Sequence, residues 1–243
     1  MNFATPTTPD PAGPPHDCPI CPRLVSYRRE NQALHPTWFN GPAPSFGDPA
    51  ARLLIVGLAP GRGGANRTGR PFTGDFAGVL LYETLIRTGF AVGAYDARPD
   101  DGLRLVDCVI TNAVRCAPPG NRPSPAEEAA CRPFLAAQIA ALPRLEVIVS
   151  LGDIARRNVL RGLTIRARVA PGHGVETALG RYLLINSYHC SRLNTNTGRL
   201  TREMFEAVFE RARALLAPST GVAASNKLPR EAPKASVRQK ASP

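Results

Sequence analysis

Four short apolar runs constrain this chain more than any other feature. Residues 52–57, 105–112, 145–151 and 181–187 each read as a strand, and helix-like stretches at 76–89, 124–142, 152–161 and 201–216 alternate with them. Helix 124–142 opens Ser124-Pro125-Ala126-Glu127, a capping box with proline in the first turn. Helix 201–216 carries Phe205, Val208, Phe209, Ala212 and Leu215 at helical spacing. Alternation of this kind predicts an α/β fold with a mainly parallel sheet and helices on both faces. No internal repeat interrupts it.

Two of the strands lead into unusual loops. After Arg52-Leu-Leu-Ile-Val56 comes Gly57-Leu-Ala-Pro-Gly-Arg-Gly-Gly-Ala-Asn-Arg-Thr-Gly-Arg-Pro-Phe-Thr-Gly-Asp75. Glycines let the backbone approach a ligand closely, and Asn66, Arg67, Thr68, Arg70, Thr73 and Asp75 crowd this one segment. After Arg181-Tyr-Leu-Leu-Ile185 comes Asn186-Ser-Tyr-His-Cys-Ser-Arg-Leu-Asn-Thr-Asn-Thr-Gly-Arg-Leu-Thr201. In open α/β sheets, ligands lie outside the carboxyl ends of the strands, so the two loops are expected to face one cleft. Asp75 is the only carboxylate in either loop. It also suits the N-cap of the helix that follows.

Six cysteines require an explanation. Cys18 and Cys21 form Cys-Pro-Ile-Cys; Cys116 follows a strand and Cys131 stands fifteen positions later on a helix. Four thiolates suit zinc or an iron–sulfur cluster, and spacing alone does not separate the two. Cys108, inside Val106-Asp-Cys-Val-Ile110, reads as a buried core thiol. Cys190 beside His189 is not read as a nucleophile.

Both loops together resemble the uracil-DNA glycosylase superfamily, most closely its family 5 (type b) branch. The patterns are Gly-Leu-Ala-Pro…Asn-Arg-Thr-Gly-Arg-x-Phe-Thr-Gly-Asp and Ser-Tyr-His-x-Ser-Arg-x-Asn-Thr-Asn-Thr-Gly-Arg-Leu-Thr, and the likeness covers roughly residues 16 to 216. It implies a three-layer α/β/α sandwich with a central, mainly parallel four-stranded sheet. It also implies a [4Fe–4S] cluster on Cys18, Cys21, Cys116 and Cys131, tying a loose N-terminal segment to the loop 113–131. The implied activity is repair of DNA by flipping out uracil and hydrolysing its N-glycosidic bond, leaving an abasic site with no lyase step. Hypoxanthine and other deaminated bases are further expected substrates.

That chemistry sets requirements. The C1′–N bond breaks, the sugar gains oxocarbenium character as in glycoside hydrolysis, and the base departs with negative charge. A carboxylate near C1′ and donors aimed at the base meet the need, once the nucleotide has left the stack. By resemblance, Asp75 positions water or stabilises the sugar cation, His189 donates to a base carbonyl, and Asn112 reads the base edge or holds water. Gly57, Leu58, Ala59 and Phe72 are expected at the base, with Phe72 stacking on it. Arg67, Arg70, Ser191, Arg192, Leu193, Asn194, Asn196 and Arg199 are expected to meet DNA, with Arg192 or Leu193 as the wedge. One departure bears on substrate range. The loop reads Gly61-Arg62-Gly63-Gly64 where many relatives have Ala-Ala-His-Gly, so it lacks that histidine and gains Arg62. A non-catalytic iron–sulfur DNA-binding module of the same fold is the alternative, opposed by Asp75, His189 and Asn112 standing together. A Rossmann enzyme would want Gly-x-Gly-x-x-Gly after the first strand, which Gly57-Leu-Ala-Pro-Gly61 does not supply.

Composition agrees. The formal charge is +11, which suits a polyanion, and arginine, the better bidentate phosphate ligand, far outnumbers lysine. Residues 1–15 and 217–243 are too poor in large apolar groups to fold. Lys227, Arg230, Lys234, Arg238 and Lys240 against Glu231 put +4 of the charge on the tail. No apolar run approaches a membrane helix and the first residues do not resemble a signal peptide. The expectation is a monomeric cytoplasmic, nucleoid-associated protein acting on double- or single-stranded DNA.

Overall fold

The computed structural model describes residues 10, 12–166 and 169–217. Its strands are β1 (Phe46–Gly47), β2 (Leu53–Gly57), β3 (Ala91–Val92), β4 (Arg104–Leu105), β5 (Cys108–Asn112), β6 (Val147–Leu151), β7 (Glu176–Leu179) and β8 (Tyr182–Ser187). Its α-helices are α1 (Pro22–Leu34), α2 (Ala65–Thr68), α3 (Phe76–Arg87), α4 (Pro125–Ala140), α5 (Asp153–Gly162), α6 (Arg192–Asn196) and α7 (Arg202–Leu215). One sheet runs β1-β5-β2-β6-β8-β7, and β3-β4 form a separate hairpin.

The four expected strands are the parallel heart of that sheet. Leu54 pairs with Val109 on one side and Ile148 on the other, and Val149 pairs with Ile185. Two antiparallel edges, β1 on β5 and β7 on β8, raise the expected count of four strands to six. Every residue of β2, β5 and β6 is buried, as a parallel sheet covered on both faces requires.

Alternate residues feed two cores. Leu53, Ile55, Ile110, Val149 and Ile185 pack against Leu81 and Leu85 of α3 and Phe205 and Phe209 of α7. Leu54, Val56, Val109, Ile148 and Leu184 pack against Leu135 and Ile139 of α4 and Ala155 and Val159 of α5. The chain runs from β2 through α3 to β5 on one side, then through α4 to β6 on the other. The helices therefore change faces where β2 meets β6, and a crevice opens there at the strands' carboxyl ends.

Helix α1 was not expected from the sequence. It packs through Leu24 on Val114, Cys131 and Phe134, beside Cys21 and Cys116. The side chain of Asp10 pairs with the buried Arg115 and accepts from the Ser45 amide at 2.7 Å. That contact holds one point of the segment read as a disordered arm; residues 1–9 and 11, and 218–243 of the tail, lie outside the described residues. Among the described residues no helix is long and apolar enough to cross a membrane.

Candidate active site

The crevice is a cleft of about 1030 Å³, of the size that takes a small ligand. The loops that follow β2, β5, β6 and β8 line it, together with the start of α3. Its wall includes Leu58, Ala59, Arg62, Phe72, Asp75, Asn112, His189, Ser191 and Arg192. The three expected catalytic residues therefore meet in one cavity, although they stand 37 and 77 positions apart in sequence.

Asp75 reaches it as the N-cap of α3. Its Oδ1 accepts from the Gly78 amide at 3.1 Å. Burial lifts its carboxyl above the usual range, while hydrogen bonds from the Gly78 and Ala77 amides oppose the rise by favouring the ionised form. Oδ2 lies against the loop 61–64: a Cβ on Gly64 would fall 2.4 Å from it. Only glycine lets that backbone approach the carboxylate so closely.

Asn112 ends β5. Its Oδ1 is buried with no hydrogen-bond partner among the described residues. An unpaired buried acceptor costs about 1–3 kcal/mol, so its place in the cleft wall marks a position for a donor on a ligand. Gly57 lies beneath it rather than in the wall. A Cβ there would meet Asn112 Oδ1 at 2.4 Å and the Phe72 ring at 2.5 Å.

Phe72 is held in place by force of its surroundings. It takes the left-handed conformation at φ +53°, which is uncommon for a bulky residue. Tyr95 Oη donates to its carbonyl at 3.1 Å and accepts from the Gly74 amide at 3.2 Å, while Tyr82 Oη donates to the Pro71 carbonyl at 2.6 Å. The Phe72 and His189 rings face each other across 6.1 Å, tilted by 31°.

His189 is half-buried and lines the cleft. Asn194 Nδ2 fixes it from behind, donating to the His189 carbonyl at 2.8 Å. Burial pushes its pKa down to about 4, so the imidazole is neutral at physiological pH and has one ring N–H to donate rather than a positive charge. Followed by NMR, its ring carbons should stay unchanged from pH 8 to about 5 and titrate only near pH 4; a midpoint near 6.5 would contradict this environment.

The expected DNA-contacting residues divide. Ser191 caps α6 and Arg192 lies over the Phe76 ring at 5.1 Å, both at the cleft. Leu193 projects from the same turn at 72% exposure, and Asn196 and Arg199 are exposed beyond it, with Arg199 over the Tyr188 ring at 4.6 Å. Arg67 is half-buried and donates to the Gly63 carbonyl at 2.8 Å. Arg70 is a correction. It is 3% exposed, makes a bidentate pair with Asp101 at 2.8 and 2.7 Å, and lies over Tyr82 at 5.3 Å. Its charge is spent inside the protein and does not reach DNA. The cleft also includes Asp153, Asn121, Phe76 and Val79, which the two loop motifs did not flag. Asp153 is already engaged by Arg156 and Arg157.

Cys18, Cys21, Cys116 and Cys131 line a single small apolar pocket with Leu24, Val114 and Phe134. The Arg115 amide donates to Cys131 Sγ at 3.2 Å, and Arg28 reaches Cys116 Sγ at 3.9 Å and the Cys18 carbonyl at 3.0 Å. Burial pushes the Cys116 and Cys131 thiols up to about 12 and about 11, so only a bound metal centre would draw them into thiolates. Among the described residues no three His, Cys, Asp or Glu side chains stand close enough together to hold a single metal ion. Donor type, donor number and the N–H groups facing sulfur all fit an iron–sulfur cluster. Cys108 is fully buried in the core, as expected, and Cys190 is buried too.

The sequence profile described as the uracil DNA glycosylase superfamily matches residues 44–213. A type-5 uracil-DNA glycosylase of Thermus thermophilus is 47% identical over 207 residues, 82% of this chain and 93% of that protein. A type-5 uracil-DNA glycosylase of Mycobacterium tuberculosis is 43% identical over 209 residues, 82% of this chain and 78% of that one. A type-4 uracil-DNA glycosylase of Thermotoga maritima is 34% identical over 166 residues, 68% and 78%.

Proposed function

The chain belongs to the uracil-DNA glycosylase superfamily, within it to the type-5 branch, and from that premise we propose that it excises uracil from DNA by hydrolysis of the N-glycosidic bond. The observation that carries the reading is the unpaired buried Oδ1 of Asn112 in a cleft that also holds Asp75 and His189. Uracil offers a matching edge: a ring N–H to satisfy Oδ1, and carbonyl oxygens that take donors.

A nucleotide flipped into the cleft stacks its base on Phe72. Asn112 accepts from the ring N–H, and neutral His189 donates to a carbonyl oxygen where charge builds as the base departs. A neutral donor suits a base leaving as an anion, because it stabilises charge without surrendering a proton. The Asp75 carboxylate, against glycines 61 and 64, faces the sugar cation and orients the attacking water. Leu58 and Ala59 line the wall without polar atoms and take no part in proton transfer. Hypoxanthine and related deaminated bases also carry a ring N–H beside a carbonyl, so the same pair accepts them. We read the enzyme as monofunctional, and among the described residues that line the cleft there is no lysine placed to form a Schiff base with the sugar. It works as a monomer in the cytoplasm, on single- and double-stranded DNA, with Leu193 as the exposed wedge. Excess enzyme on duplexes carrying one uracil, hypoxanthine or xanthine tests this; alkali-labile sites at uracil and hypoxanthine are expected, and cleavage at neither would overturn it.

Cys18, Cys21, Cys116 and Cys131 hold a [4Fe–4S] cluster whose part is structural, joining α1 to the loop that follows β5. Anaerobically prepared protein is expected to be brown with about four irons per chain. Cys131→Ser should lose the chromophore and melt at lower temperature, and Cys108→Ser should keep it. Stoichiometric zinc without iron would contradict the assignment.

A further inference from the structure

Arg62 stands at the lip of the cleft in the loop that presses on Asp75, and the residues around it have already fixed its side chain. Its Nε donates to Asn31 Oδ1 at 2.6 Å and its Nη2 donates to His35 Nε2 at 3.3 Å. The guanidinium sits 6.0 Å over the Trp38 ring, which itself stacks on His35 at 3.8 Å. Asn31 is buried at the end of α1 and donates to the Tyr27 carbonyl at 2.7 Å. Fixing an arginine side chain normally costs rotamer entropy; here folding has met that cost before any ligand arrives. Yet Arg62 is exposed, and among the described residues its hydrogen bonds are made through Nε and Nη2, leaving Nη1 without a partner. The guanidinium thus keeps an open edge at the mouth.

Arg62 and Arg192 are the basic residues that line the cleft. Arg67 donates to a backbone carbonyl and Arg70 is buried on Asp101. Taking the cleft as a DNA site, we propose that Arg62 is a pre-set phosphate clamp, held by Asn31 and His35 so that its open edge takes a backbone phosphate beside the flipped nucleotide. A planar guanidinium with donors left over matches a phosphodiester, and fixing it in advance removes a cost of binding. Cys21 is the N-cap of helix α1, so the cysteine pocket reaches the DNA grip through α1.

Binding to a duplex with a tetrahydrofuran abasic analogue, measured over a salt series on the cluster-loaded protein, tests this without any excision step. Arg62→Gln can still donate to Asn31 but lacks the charge. It should lower the slope of log affinity against log salt by about one and weaken binding about five- to tenfold at moderate salt. Arg62→Lys should keep the slope and recover only part of the affinity. Asn31→Ala, which unpins the guanidinium and leaves its charge, should keep the slope and weaken binding. An Arg62→Gln protein with the parent's slope and affinity would overturn the proposal, and so would one whose only change is a lower melting temperature, which makes Arg62 a strut for α1. Affinity unchanged in Asn31→Ala would overturn the pinning. Failure of the parent to release uracil would instead refute the glycosylase reading, while the binding arms still decide Arg62.

Discussion

Asp75→Asn should cut single-turnover uracil excision by at least about two orders of magnitude, the usual scale for a positioned charged or acid–base group. DNA affinity should stay similar or rise. The substitution is informative because it separates the α3 cap, which Asp75 makes, from the charge assigned to bond breaking. Asparagine still accepts from the Gly78 amide and so keeps the α3 cap. It removes only the negative charge beside the loop 61–64. Loss of rate with unchanged melting temperature assigns the charge to bond breaking. Excision at near the parent rate would leave Asp75 as a helix cap alone.

Asp101→Ala should destabilise the fold by about 3–5 kcal/mol, because removing one partner strands a buried charge. Asp101 accepts both arms of Arg70 and the amides of Asp96 and Leu103. Arg70 also donates to Thr73 at 2.7 Å and is surrounded by Phe46, Tyr82 and Tyr95, so its loss should also loosen Phe72. Burial by itself would raise the Asp101 carboxyl, but the Arg70 hydrogen bond and the two amides outweigh it, and the net shift is downward. A lowered carboxylate contributes stability above its unfolded value of 3.8 and loses it as pH falls further. Urea unfolding at neutral pH measures the change; a loss under about 1 kcal/mol would mean the pair is dispensable.

The residues that could be read from sequence were those whose signal is local. Buried strands announce themselves as apolar runs, and α4 and α7 carry their caps and stripes within one helix length. The edge strands did not, since β1 has two residues and β7 has four, of which only Leu179 is buried. Helix α1 hid for a related reason. Its sequence, Pro-Arg-Leu-Val-Ser-Tyr-Arg-Arg-Glu-Asn-Gln-Ala-Leu, has almost no apolar stripe, and Leu24 and the cysteine pocket anchor it instead. Arg70 misled because its partner stands 31 residues away; a motif rich in arginine shows charge but not which charges are already paired. Asn112 and His189 could be placed at the cleft because they stand at or just beyond the ends of apolar runs, where an α/β sheet puts its ligands, whereas Asp75, 18 positions past the end of β2, stood out as the carboxylate of its loop and the cap of the next helix. Pinning of Arg62 by Asn31 and His35 depends on how α1 docks, which no run of neighbouring residues encodes.

Free uracil released from a duplex with a single uracil, with enzyme in excess, tests the central claim most directly. The account expects one free base per duplex and a strand that stays intact until alkali cuts it at the abasic site. No free uracil, or a strand nicked before alkali, would contradict it.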